Sequence, residues 1–167
     1  SQQKVRTPFE FAVSSVRALR ASRPTGGYTA DATGAELLSQ MNRLGMSLFN
    51  REEPDGWSEY GADWINTSSL MERMRFVQQT LLREKRADPV GLVKLKVPSA
   101  KWRDAGAVSD YFLEVLYPGE GKANLALDRA VALAYLNTLD NGTTPSNFSS
   151  LDPNSAAYDN RVKGMVA

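Results

Sequence analysis

Neither cysteine nor histidine occurs in the 167 residues of this chain. Without cysteine there is no disulfide framework, no thiolate nucleophile and no sulfur-ligated metal. Without histidine, Ser-His-Asp and Cys-His arrangements, imidazole general bases, the usual zinc ligand sets and His-ligated haem are excluded too. Any chemistry carried here falls to carboxylates, Lys, Tyr or Ser, or to residues of another chain. A dominant charge sign is also lacking: 20 Lys and Arg stand against 19 Asp and Glu, a net of +1. That balance lacks the basic excess of a dedicated nucleic-acid binder. No apolar run approaches the ~18 residues of a membrane span. The opening run SQQKVRTPFEF has no apolar core of a secretory signal; if the natural protein is exported, that part has been removed.

What is present reads as helix. Thr7-Pro8-Phe9-Glu10 is a capping box with Pro at the first helical position, followed by Phe9, Ala12, Val13, Val16 and Leu19 at helical spacing. Pro24 and the Gly26-Gly27 pair stop that helix. A second box, Thr33 with Glu36, predicts a helix with Leu37, Leu38, Met41 and Leu44 inward and Gly45 as its left-handed stop. A longer helix is predicted over about 68–86, its stripe being Leu70, Met74, Val77 and Leu81. Asp88-Pro89 closes it. GLVKLKVPS alternates apolar residues with Lys and predicts an isolated extended segment near 92–98. A short helix is expected over 109–117. The run ANLALDRAVALAYLNTL, 123–139, is apolar almost all round and predicts a central buried helix. DNGTTPSNFSS is rich in turn residues, and Asp152-Pro153 caps a last helix. The expected fold is all-α: an irregular bundle of about six helices with long ordered loops, forming one helical domain over 1–167.

Catalytic motifs are weak. Ser1-x-x-Lys4 has the Ser/Lys acylating spacing but none of its partner motifs. The notable segment is REEPDGWSEYGADWINTSSL. Glu52, Glu53, Asp55, Glu59 and Asp63 form an acid cluster that does not match the EF-hand spacing. Trp57, Tyr60 and Trp64 among these acids resemble a sugar-stacking platform, since an aromatic face suits the apolar side of a pyranose. Aromatics bury large areas, however, and anchor loops more often than they bind sugar. Trp57, Glu59, Tyr60, Asp63 and Trp64 are therefore the candidate contact residues for a ligand or partner. No residue is assigned a catalytic, metal-binding or cofactor-binding role. The end of the segment can serve the helix that follows it. Asn66, Thr67 or Ser68 can cap that helix, with Ser69 and Glu72 as an alternative box.

TPFEFAVSSVRALRA, the central run LLSQMNRLGMSLFNREEPDGWSEYGADWINTSSLMERMRF, and YFLEVLYPGEGKANLALDRAVALAYLNTLDNGT resemble, in that order, the C-terminal portion of the bacterial domain-of-unknown-function 1800 family. The resemblance implies a mostly helical protein, exported, periplasmic or in the cell envelope, of which this chain is a C-terminal fragment. It implies a partner in the N-terminal half of the same protein, with another envelope protein or a glycan as further partners. It brings no catalytic residues. The function expected is a binding or assembly module without its own catalytic centre. The alternatives are part of a carboxylate-dependent hydrolase or carbohydrate-active enzyme, using Glu52, Glu53, Glu59 or Asp63 with Trp57 and Trp64, and a pure scaffold for the N-terminal half.

Overall fold

The computed structural model describes residues 5–21, 30–51, 56–58, 60–139 and 141–167. Among them the chain is all-α, with seven α-helices and one isolated bridge, Thr138 to Pro145, in place of any sheet. It divides into two compact units, Ser1–Ala87 and Asp88–Ala167.

In the first unit, α1 (Pro8–Ala18) begins as its sequence requires. The Thr7 hydroxyl accepts from the Glu10 amide at 3.3 Å, and the Glu10 carboxylate accepts from the Thr7 amide at 2.9 Å. Ala12, Val16 and Leu19 are buried, whereas Phe9 lies on the exposed side. Helix α2 (Ala30–Arg43) packs on α1 and starts three residues ahead of the expected Thr33 cap. The side chains of that proposed box lie outside the described residues. Met41 and Leu44 are buried and Leu38 is exposed. Gly45 takes φ +88°, and the Met46 amide donates to Met41 O at 2.9 Å, the six-to-one bond of a left-handed helix stop.

Helix α3 (Thr67–Arg75) is capped by Asn66, whose side chain accepts from the Ser69 amide at 2.8 Å while Ser69 Oγ accepts from the Asn66 amide at 3.0 Å. By sequence this cap is open between three residues and a later box. Asn66 prevails because Ser69 Oγ also donates to Trp64 O at 2.8 Å, which fixes the chain entering the helix. Asn66→Ala is expected to cost about 1 kcal/mol, read as a denaturation midpoint shift at unchanged slope.

Beyond Arg75 the helix widens into a π-helical segment, Phe76–Arg83. The expected stripe divides here. Val77 and Leu81 are buried, but Leu70 and Met74 are exposed. The inward line of α3 runs instead through Ser69, Arg73 and Phe76. The Phe76 ring meets Phe11 edge-on at 6.0 Å. Arg73 lies 4.8 Å from the Phe11 ring centroid and donates to Arg6 O at 2.8 Å. Burial lowers the Arg73 pKa, yet the carbonyl and ring compensate its charge.

In the second unit Asp88 does not close a preceding helix; it caps the next. Its carboxylate accepts from the Gly91 amide at 2.9 Å, and Pro89 takes the first position of α4 (Pro89–Lys96). The segment expected to be extended near 92–98 is thus helical through Lys96. Alternation over five residues is too short to outweigh a proline-led N-terminus, and Val90, Leu92 and Val93 are buried at helical positions. Helix α5 (Ala105–Leu116) starts four residues earlier than the expected 109, because Asp104 accepts from the Gly106 and Ala107 amides at 2.8 and 3.2 Å. Helix α7 (Ala156–Val166) is capped by Ser155, not by Asp152. Asp152 instead accepts from Ser155 Oγ through its carbonyl at 2.7 Å.

The core of this unit joins Val93, Val108, Phe112, Leu136, Phe148, Tyr158 and Val162. Tyr158 stacks on Phe148 with centroids 4.9 Å apart and donates to Trp102 O at 2.6 Å. The buried Arg161 donates to Leu136 O at 2.7 Å, tying α7 to the end of α6 (Ala126–Leu136). Expected as the central buried helix over 123–139, α6 is shorter and mostly exposed. It packs on α5 and α7 and buries only Leu136 completely. Apolar composition all round does not distinguish a core helix from one with an open apolar side.

Candidate functional site

The candidate residues Trp57, Tyr60, Asp63 and Trp64 occupy a tight loop ahead of α3. Gly56 turns it with φ +75°, and a helical turn over Gly61–Trp64 follows. Gly61 lies so close to Val5 that an added Cβ would stand 2.6 Å from the Val5 Cβ. Trp64 is buried, and its indole N–H donates to Ser58 O at 2.8 Å. Ser58 Oγ in turn bonds the Asp63 carboxylate and accepts from the Tyr60 amide at 3.1 Å. Trp57 is half-buried: its ring lies 5.9 Å from Trp64 at 49°, with the Arg51 guanidinium 5.2 Å from its centroid. Tyr60 projects into solvent.

The loop therefore brings Trp57, Asp63 and Trp64 together around Ser58 and leaves Tyr60 apart. Glu59 lies outside the described residues, as do Glu52, Glu53 and Asp55 of the hydrolase alternative. Asp63 already bonds Ser58, and Trp64 is committed to packing. These contacts are those of an anchor for the start of α3.

Two surface features lie away from these candidate residues. One is a groove of about 410 Å³ between α4 and the start of α7, lined by Asp88, Gly91, Lys94, Asn154, Ser155 and Asp159 among others. Its polar groups are engaged within the unit: Lys94 with Asn154 at 2.9 Å, and Asp159 with Lys163 at 2.6 Å. The other is the open side of α6. Leu127 is 76% exposed, Val131 62%, Tyr135 44% and the nearby Leu139 43%. Ala130 and Ala134 lie exposed beside them, and the half-buried Asp128 borders the stripe at one edge. Its signal was visible as the mostly apolar composition of 123–139.

Helix α6 is fastened to its neighbours, Tyr135 of the stripe included. Arg129 pairs with Asp110 of α5, and the hydrogen bond it donates to that carboxylate raises the arginine pKa. Tyr135 lies over Gly164 of α7 so closely that any Cβ there would overlap its ring. The apolar side thus belongs to a helix tied to both α5 and α7. No described helix is long and apolar enough to cross a membrane.

The family described as "Protein of unknown function (DUF1800)" matches residues 1–160. The chain belongs to the DUF1800 family. No curated protein and no solved structure matches it. Family membership covers both units of the DUF1800 chain and supplies no activity for either the Trp57–Trp64 loop or the α6 surface.

Proposed function

We propose that this DUF1800 chain is an assembly module without a catalytic centre of its own, in an exported or envelope protein of a bacterium. It acts by burying the open side of α6 against the remainder of a longer polypeptide. The observation that carries this reading is the uncharged stripe of Leu127, Val131 and Tyr135 on a helix fixed by its neighbours. Apolar surface of this kind costs free energy in water and marks a contact surface. Its lack of charge favours a permanent neighbour over a transient partner. Obligate interfaces resemble a domain core cut in half, whereas transient ones keep polar groups.

The test is the double substitution Leu127→Lys, Val131→Lys. In the isolated chain each change should fall within about 0.5 kcal/mol, because both positions are exposed. In the full-length protein the pair should cost at least about 2 kcal/mol, because two ammonium groups would be forced into an apolar contact. Paired urea titrations of isolated chain and full-length protein measure both. Equal, small effects in the two contexts would remove the assembly reading.

A further inference from the structure

We propose that Asn141–Gly142 is a conformationally gated deamidation site: the folded loop occupies the groups that react, and modification follows only when the loop opens. This inference is independent of the assembly reading. The pair is the sole Asn-Gly in the sequence, and glycine leaves the following amide unhindered by a side chain. In the reaction the Gly142 amide nitrogen, its proton lost to solvent base, attacks Asn141 Cγ. The Cγ–Nδ2 bond breaks, ammonia leaves, and a five-membered succinimide forms. Water then adds to either ring carbonyl, giving aspartate or its β-linked isomer. Nothing is oxidised or reduced, and water is the only co-reactant.

In the folded loop each of these groups is engaged. The Gly142 N–H donates to Leu139 O at 2.8 Å. Asn141 Oδ1 accepts from the Thr143 and Thr144 amides at 3.1 and 3.0 Å. Asn141 Nδ2 donates to Thr144 Oγ1 at 2.8 Å. Below the turn, Leu139 N donates to Thr144 O and Ser146 N to Asn137 O, both at 2.8 Å. Gly142 takes φ +73°, a conformation that glycine adopts without steric cost. The turn therefore requires the residue that makes the pair chemically labile, and its hydrogen bonds offset the hazard.

Of the two products, the β-linked isomer would make a transient opening permanent. Aspartate at 141 keeps its acceptors but has no Nδ2–H for Thr144 Oγ1. The β-linked isomer adds a backbone atom that the register between Asn137 and Ser146 cannot absorb. Arg161 reaches Ser146 O at 3.4 Å, so the damage is felt at α7.

The experiment incubates the chain at mildly alkaline pH, folded and in urea, and follows residue 141 by peptide mapping and mass spectrometry. The folded chain should react at least about tenfold more slowly, a factor that one hydrogen bond near the top of its usual net range supplies. Thr144→Val, in an exposed position, removes the acceptor of Asn141 Nδ2 and should speed the folded reaction with the circular dichroism unchanged. Equal rates folded and unfolded would overturn the gating. So would an unfolded rate at Asn141 no faster than at the other asparagines, or a folded Thr144→Val rate equal to that of the parent.

Discussion

Tyr158→Ala is expected to destabilise the second unit by about 3–5 kcal/mol, the range for deleting a fully buried aromatic ring. The ring is completely inaccessible and stacks on Phe148, itself completely buried. Its loss opens a cavity that two helices and the loop 137–148 would have to collapse into. The hydroxyl adds a separate contribution, since it satisfies Trp102 O at 2.6 Å. Tyr158→Phe keeps the ring and leaves that carbonyl short of a partner, at about 1–1.5 kcal/mol. The two substitutions together separate packing from hydrogen bonding. Because the chain divides into two units, the readout should be hydrogen exchange resolved along the sequence, not one melting temperature.

Tyr158 also makes a pH-dependent prediction. Burial disfavours the phenolate and pushes its pKa up to about 12, from 10.0. The folded form therefore holds the proton more tightly than the unfolded form. The associated stability is fully present below about pH 10 and is lost as pH rises from there toward about 12. Tyr158→Phe should flatten that part of the stability curve. An ultraviolet titration should show one of the six tyrosines, Tyr158, ionising only as the pH approaches about 12. An unshifted titration of Tyr158 would mean that water reaches its hydroxyl.

Helix class and the strongest caps were legible in the sequence because they depend on neighbours three or four residues apart. Thr7 with Glu10 and Gly45 act within one turn, whereas the choice of Asn66 over Thr67, Ser68 and the Ser69–Glu72 box rests on the bond from Ser69 Oγ to Trp64 O. Expectation and structure part where a distant contact decides. Leu70 and Met74 follow ideal helical spacing, yet Phe11 draws Arg73 and Phe76 inward and the π-helical segment alters the phase beyond. Val93, Leu95 and Val97 alternate like a strand, yet Asp88 and Pro89 start a helix and Leu95 is left exposed. The candidate loop was legible as a cluster but not as an arrangement. Nothing in the spacing of Trp57 and Trp64 tells which indole is buried; Ser58 O and the Ser69 hydroxyl settle it. The α6 surface was visible as composition and misassigned as core, because composition does not say which sides are occupied.

Trp64→Ala should produce the other large effect, about 3–5 kcal/mol in the first unit. Three contacts converge on this residue. Its N–H donates to Ser58 O, its ring leans on Trp57, and its carbonyl accepts from Ser69 Oγ, the hydroxyl that also completes the Asn66 cap. Removing the ring frees the loop and weakens the start of α3 together, so exchange should quicken from Ser58 through the first turn of that helix. Trp57→Ala is the necessary comparison. Its ring is half-buried and, among the described residues, has no indole hydrogen bond like that of Trp64, so a cost below about 1.5 kcal/mol is expected. Trp64→Phe isolates the lost N–H and should cost about 1 kcal/mol beyond the change in ring area. This ordering distinguishes an anchor from a ligand platform. A platform would tolerate loss of either ring in stability and lose affinity for glycans. A large stability loss at Trp64 with a small one at Trp57 is the signature of a loop whose first duty is to hold α3 in place. If Trp64→Ala proves as mild as Trp57→Ala, the loop carries little of the fold, and its aromatics must be accounted for by a bound partner.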